Sequence, residues 1–505
     1  MNTFMNGLTE NFNYARTENG ALTHKSTRSA VYDMFALCGA YRQRSEADCI
    51  LMFQNAIAEN AELAMKCLFY LADCRGGQGE RRFFRVCFKW LANTYPEIAR
   101  KNLEIIPEYR RWDDLIYATI NTKVESDMLS IIKHQLALDV ESKTPSLLAK
   151  WLPSENASAA ITCLTGDKIR RYLGWTHKAY RKVLSELRSR INIVEKLMSE
   201  GRWDEIEFDK IPSKAGLIYK NAFARRDLIA KKYEAFAKDE NTTVNVKDLY
   251  PYEIVAKVCH NLNPWQSIYE KDISSTDRAM IEKYWKNLPD YFNGKQSNML
   301  CVVDTSGSMT GSKADAPINV AISLGMYCAE RAGGPFKDHY ISFSSRPQLI
   351  KIEGVDFVDK VRRIWRTNLC ENTDLIKTFD MLLAIAKTAK KEDIPETIVV
   401  ISDMEIDNGS NFYSYRRNGE FGARAGVLTE MESMRVKWAA EGLKMPKLVY
   451  WNVNARNNNI LDDGPNVSYV SGMSPTIFKQ VITGKTGWDL MIETICSKRY
   501  EAVTV

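Results

Sequence analysis

Hydrophobic positions along the first 290 residues recur at three- and four-residue spacing between short polar breaks, a pattern that predicts helix after helix. In "ENAELAMKCLFYLADCRGG", Ala64, Leu68, Leu71 and Ala72 share one face, and Gly76–Gly77 is expected to end the run. The stretches "RRFFRVCFKWLANTYPEIARKNLEIIPEY", "DMLSIIKHQLALDV", "YRKVLSELRSRINIVEKLM" and "NAFARRDLIAKKYEAFAKD" have the same texture. A stack of helix pairs, each covering its neighbour's apolar face, explains them better than a single bundle.

Near residue 295 the period changes. Short runs rich in Val, Ile and Tyr, "NMLCVVD", "HYISFSS", "TIVVISD", "KLVYWNVN" and "VSYVSG", alternate with the helical stretches "PINVAISLGMYCAERA", "DLIKTFDMLLAIAKTAK" and "MESMRVKWAAEG". Such alternation implies crossover units and a mainly parallel sheet covered on both faces. The expected organisation is an all-α domain over residues 1–292 and an α/β domain over 293–505, divided at "NGKQS".

Composition narrows the function. At 505 residues with 45% hydrophobic content, the chain is globular and too long for one core. The net charge of +6 is uneven: residues 1–300 hold 44 Lys and Arg against 38 acids, and residues 301–505 hold 25 against 25. No run of about 18 apolar residues occurs, and "MNTFMNGLTENFNYARTENG" lacks the character of a secretion signal, so a soluble cytoplasmic protein without a membrane partner is expected. The eleven cysteines lie singly with no C-x-x-C pair, which favours buried reduced thiols over disulfides or zinc. Neither G-x-S-x-G nor H-E-x-x-H is present and the five histidines are scattered, so binding is expected rather than catalysis.

The densest chemistry is in "CVVDTSGSMTGSK", where a strand runs into Asp304, Ser306 and Ser308, with Gly307 expected to allow a tight turn. Ligands of open α/β sheets gather at strand ends. One carboxylate and two hydroxyls are hard oxygen donors that suit Mg²⁺ rather than zinc. Asp403, ending "TIVVISD", and Thr373, in "CENTD", are the further donors expected, with Thr367 and Thr378 as alternatives to Thr373.

A D-x-S-x-S string after a hydrophobic strand, a later loop threonine and a strand-ending aspartate resemble the metal-ion-dependent adhesion site of von Willebrand factor A domains. The resemblance implies a Rossmann-like fold in which Ser306 and Ser308 bind Mg²⁺ or another divalent cation directly. Asp304, Thr373 and Asp403 would coordinate it directly or through water, leaving one position open for a partner's carboxylate. The loop "MEIDNGSNFYSYRRNGEFGARAG" follows, and its Tyr413, Tyr415, Arg416 and Arg417 either contact a ligand or belong to an ordinary insertion.

Residues 168–190 hold eight basic side chains and one acid, Glu186. Lys168, Arg170, Arg171, His177, Lys178, Arg181 and Lys182 are the candidates for an RNA phosphate surface, with Tyr172, Trp175 and His177 available to unpaired bases. The segment "KIRRYLGWTHKAYRKVL" resembles the Ro autoantigen family, whose matching stretch has Gly-Trp-Ser-His-Lys where this chain has Gly174, Trp175, Thr176, His177 and Lys178. "ENGALTHKSTRSAVYDMF" and "FYLADCRGGQGERRFFR" resemble other segments of that family and of TROVE-like proteins in phages, bacteria and plants.

This resemblance implies a TROVE module, a ring or solenoid of HEAT-like helical repeats followed by an A domain, monomeric, with the matching His and basic residues on the RNA surface. It further implies a ribonucleoprotein role with small noncoding or misfolded RNA, and a protein partner such as a nuclease. The rival reading is an adaptor that grips an acidic residue of a protein through the metal and takes no RNA. In the second basic cluster, "RGGQGERRFFR", a G-K-[ST] ending is absent and Phe83 and Phe84 are expected in the core. Its Arg75, Arg81, Arg82 and Arg85 either extend the RNA surface or, in the preferred reading, pair with Asp113 and Asp114.

Overall fold

The structure, a computed structural model, describes residues 12–191, 194–246, 249–259, 273–295, 297–343, 346–366, 372–407 and 428–505. A helical region is followed by an α/β region with a mostly parallel sheet. Two compact units form, one from Met1–Ser45 and Leu249–Ser497, the other from Glu46–Asp248 and Lys498–Val505.

The first unit is built on six strands: β3 (Met299–Asp304), β4 (His339–Phe343), β5 (Gln348–Lys351), β6 (Thr397–Ser402), β7 (Lys447–Asn452) and β8 (Val467–Ser471). Their order is β5-β4-β3-β6-β7-β8, parallel throughout except for the β4–β5 hairpin. β3 and β8 are buried at every position, which is why β3 reads as an unbroken apolar run up to Asp304 and β8 carries no charged side chain. A hairpin of β1 (Tyr14–Arg16) and β2 (Leu22–His24) joins this unit, where the His24 amide donates to the Ile460 carbonyl at 2.8 Å.

The change of period near residue 293 marks the start of the sheet but not the edge of a compact unit. The helices Pro251–Cys259 and Ser275–Lys286 belong with the sheet. Arg278 pairs with Asp356 at 2.6 Å, Trp285 Nε1 donates to Glu330 at 2.6 Å, and the Trp285 and Phe357 rings lie 4.4 Å apart. A helix–helix contact of this kind leaves no trace in local periodicity.

The second unit is helical. Phe69, Phe84, Phe88 and Tyr109 form an aromatic core with ring separations of 5.3–6.4 Å, so Phe83 and Phe84 are core residues as expected. The helix Ala61–Ala72 holds Ala64, Leu68, Leu71 and Ala72 buried, but also Met65, Cys67, Phe69 and Tyr70, so it is enclosed on all sides from Cys67 onward while Glu62 in the first turn is exposed. It ends at Asp73, before Gly76–Gly77. Gly77 serves a close approach instead: a Cβ there would sit 1.9 Å from the Tyr70 carbonyl oxygen.

Asp73 is wholly buried and collects the Arg75 amide at 2.8 Å, Arg499 Nη2 at 2.7 Å and the Tyr500 hydroxyl at 3.0 Å. Residues 498–505 are thereby fastened to this unit, and Thr504 extends the seam by exchanging hydrogen bonds with Asn102 at 2.7 and 3.1 Å. Removing one partner of a buried ion pair strands the other charge. Because the Arg499 side chain is 39% exposed, Arg499→Met is expected to lower stability by about 1–2 kcal/mol in urea unfolding; an unchanged midpoint would show that the Asp73 charge is held by its other donors alone.

Candidate functional site

In the order β5-β4-β3-β6-β7-β8 the chain leaves β3 toward one edge of the sheet and later returns at β6 to build the other. The ends of β3 and β6 therefore flank the switch point, the place on an open α/β sheet where ligands gather. Asp304 closes β3, and Asp403 follows β6 directly.

Asp304 is fully buried; it accepts the Ser402 hydroxyl at 2.5 Å, the Ser306 amide at 2.9 Å and the Ser306 hydroxyl. The Ser306 and Ser308 hydroxyls lie 3.0 Å apart, and Ser308 hydrogen-bonds Asp403. Asp403, also buried, further accepts the Glu405 amide at 3.2 Å and Arg456 Nη2 at 3.0 Å. Two carboxylates are thus bridged by two serines, and Ser308 alone of the four side chains is solvent-exposed. Gly307 opens a short 3₁₀ turn, Gly307–Met309, without entering the left-handed region.

Burial, and after it the charge of Asp403, pushes the Asp304 carboxyl up to about 7. Burial also raises Asp403, against the opposing pull of Arg456. The converging side-chain donors, two carboxyls and two hydroxyls, are all oxygen, with the Arg456 guanidinium alongside on Asp403. Asp304, Ser306, Ser308 and Asp403 therefore fit a hard divalent ion such as Mg²⁺, open to solvent on the Ser308 side.

Thr373 is buried beside the loop after β6: its amide donates to Asp407 at 2.9 Å, the Asp407 amide returns to its carbonyl at 2.8 Å, and Asn19 Nδ2 reaches its hydroxyl at 3.5 Å. Of the alternatives, Thr378 is buried within the helix Leu375–Ala386, and Thr367 lies outside the described residues, as do Tyr413, Tyr415, Arg416 and Arg417. Sequence reasoning missed Ser402, Arg456, Glu18 and Asn19. Only Ser402, the residue before Asp403, carried a local signal.

In the helical unit the basic segment forms two helices, Ala160–Leu173 and His177–Arg190. Gly174 caps the first at φ 70°, and the Thr176 side chain caps the second by accepting the Ala179 amide at 3.1 Å. Arg171, Tyr172, His177, Lys178, Arg181 and Lys182 are exposed around this junction.

Lys168 and Arg170 are differently placed. Lys168 pairs with Glu125 at 2.6 Å; Arg170 lies between Glu155 at 2.8 Å and Asp167 at 2.5 Å and donates to the Trp175 carbonyl at 2.8 Å. Ligand atoms of Glu155, Asp167 and His177 fall within 4.8 Å of one another, but the Arg170 guanidinium supplies the positive charge for both acids. Arg171 reaches Asp167 at 2.7 Å while its side chain stays 74% exposed, so its charge remains accessible. An adjoining groove of about 620 Å³ mixes Arg181, Arg188 and Lys196 with Glu155, Glu195 and Glu200, so the positive face lies at the helix junction rather than in the groove.

In the second basic cluster Arg81 and Arg85 pair with Asp113 and Asp114, whereas Arg75 is exposed and donates to the Glu108 carbonyl and Arg82 lies beside Cys49. Arg81 and Arg85 reach Asp114 at 2.7 and 2.6 Å, and Arg85 reaches Asp113 at 3.0 Å. Of the eleven cysteines, those described are free thiols, seven of them buried, with Cys496 exposed. Among the described residues no helix is long and apolar enough to cross a membrane.

A family described as Domain of unknown function (DUF2828) matches residues 17–116 and 139–295. The chain belongs to that family. Its match begins in the β1–β2 hairpin and includes the basic helix junction. A second family, Domain of unknown function (DUF7788), matches residues 298–500 and takes in all four residues of the oxygen cluster. The chain is 28% identical to "Uncharacterized protein L728" of Acanthamoeba polyphaga mimivirus, in an alignment covering 94% of this chain and 85% of that protein.

The raised carboxyls give a pH test. Without a divalent ion, the folded chain holds more protons than the unfolded chain between the ordinary carboxylate range and about pH 7, so stability falls as pH rises through that window. In EDTA, the wild-type melting temperature is expected to drop more between pH 5 and pH 8 than that of Asp304→Asn. Equal drops would show that Asp304 does not carry the effect.

Proposed function

We propose that this chain is an RNA-binding protein of the Ro type, with a TROVE-like helical-repeat region and a von Willebrand factor A-type domain. The helical region takes small noncoding or misfolded RNA. The A-type domain holds Mg²⁺ and through it grips an acidic residue of a protein partner such as a nuclease. It is a binding protein of the cytoplasm rather than an enzyme.

The observation that carries this reading is the convergence of Asp304, Ser306, Ser308 and Asp403 at the switch point. The buried carboxyls provide charge, the hydroxyls neutral oxygens, and the exposed Ser308 side an approach for a further ligand. When bound, the ion would supply Lewis-acid attraction for a carboxylate; the chain's residues orient it and exclude water on the buried side.

Support for RNA comes from the exposed Arg171, His177, Lys178, Arg181 and Lys182 beside the exposed Tyr172. Four cations contacting phosphates of a single strand correspond to a log–log salt slope of about −3. Lys168 and Arg170, being paired with acids, contribute to the helix junction instead. That pairing is also what favours the second reading, an adaptor without RNA.

Crosslinking followed by sequencing of copurified RNA separates the two. The RNA reading expects specific RNA from the wild type and at least about a tenfold loss of affinity in Arg171→Glu/Lys178→Glu, larger at low salt. Background RNA alone, with the double variant equal to wild type, contradicts it. If Asp304→Ala then still abolishes capture of an acidic protein partner, the adaptor reading stands.

A further inference from the structure

Among the described residues, the Arg456 guanidinium borders the oxygen cluster. Arg456, in the loop between β7 and β8, places Nη2 3.0 Å from Asp403 and Nη1 2.7 Å from Glu18 in the β1–β2 hairpin. Its Nε is buried and has no hydrogen-bond partner among the described residues. The same cation therefore serves one acid inside the cluster and one outside it. Asp403 is wholly buried, whereas the Glu18 side chain is 46% exposed.

Glu18 is held in place by contacts that do not run through the Asp403 carboxylate itself. Its amide donates to Glu405 Oε2 at 2.7 Å and its carboxylate accepts Asn457 Nδ2 at 3.3 Å. On either side of it, Thr17 donates to the Ile406 carbonyl at 2.7 Å, and Asn19 donates to the Glu405 carbonyl at 2.7 Å. The hairpin tip thus keeps a carboxylate beside Arg456 that is separate from the Asp403 carboxylate.

A divalent ion coordinated through Asp403 and a guanidinium bound to it draw on the same negative charge and neighbouring lone pairs. We infer that Arg456 is the resident cation of this site and that metal binding is an exchange, in which the ion displaces the guanidinium from Asp403 and Glu18 retains it. The inference rests on the metal reading above. Arg456 sets the affinity by competing for Asp403, and Glu18 opposes it by offering Arg456 an alternative partner. The two ends of one ion pair then act on metal binding with opposite signs, whereas a merely structural pair would weaken it from either end.

The test is Mn²⁺ titration of the full chain, by calorimetry and by the loss of free-Mn²⁺ paramagnetic signal, with thermal melts to confirm folding. Arg456→Met is expected to bind about tenfold more tightly than wild type, and Glu18→Gln a few-fold more weakly. Arg456→Lys keeps the competing charge and stays within about threefold of wild type. Glu18→Gln, at an exposed position, keeps the test open if Arg456→Met does not fold. Wild-type binding with both variants unchanged, or shifted the same way, overturns the exchange but leaves the metal site standing. No Mn²⁺ binding by the wild type or by Arg456→Met overturns both.

Discussion

Two carboxylates share a buried position at the sheet's switch point, and much of the surrounding structure follows from that constraint. Asp304 and Asp403 are each almost free of solvent, where a negative charge without compensation is costly. The neighbouring groups answer this cost: Ser402, Ser306 and Ser308 turn hydroxyls inward, backbone amides of Ser306 and Glu405 donate, and Arg456 supplies charge to Asp403. A hard divalent ion in the same place would satisfy both carboxyls at once.

The hairpin Tyr14–His24 belongs to this arrangement although β3 begins only at Met299, far along the sequence. Asn19 touches Thr373 and the carbonyl of Glu405, and Glu18 holds the far side of Arg456. His24, at the end of β2, bonds Glu432 at 2.9 Å, and the Tyr32 hydroxyl accepts the Tyr469 amide at 3.1 Å. The sheet therefore acquires one wall from the start of the chain, and residues 498–505 return to the helical unit through Asp73.

Local patterns made the helical region, the mainly parallel sheet and the convergence of Asp304, Ser306, Ser308 and Asp403 legible, because strand alternation locates strand ends and strand ends locate loops. Thr373 was legible as a loop residue, but its tie to Asn19 was not. The same limit explains the basic segment. Eight cations in a row look free, yet Glu125 and Glu155, brought in from elsewhere in the helical unit, neutralise Lys168 and Arg170. Asp113 and Asp114 were readable as partners of the other arginine cluster because they form an acidic pair in "RRWDD".

Anomalous diffraction from crystals of the full chain soaked in Mn²⁺ would show whether the four side chains form one divalent-cation site. An anomalous peak is expected between Asp304, Ser306, Ser308 and Asp403, with oxygen ligands at about 2.2 Å, as is usual for hard divalent ions. A difference map without a peak there at saturating Mn²⁺, with Arg456 still on Asp403, would contradict such a site.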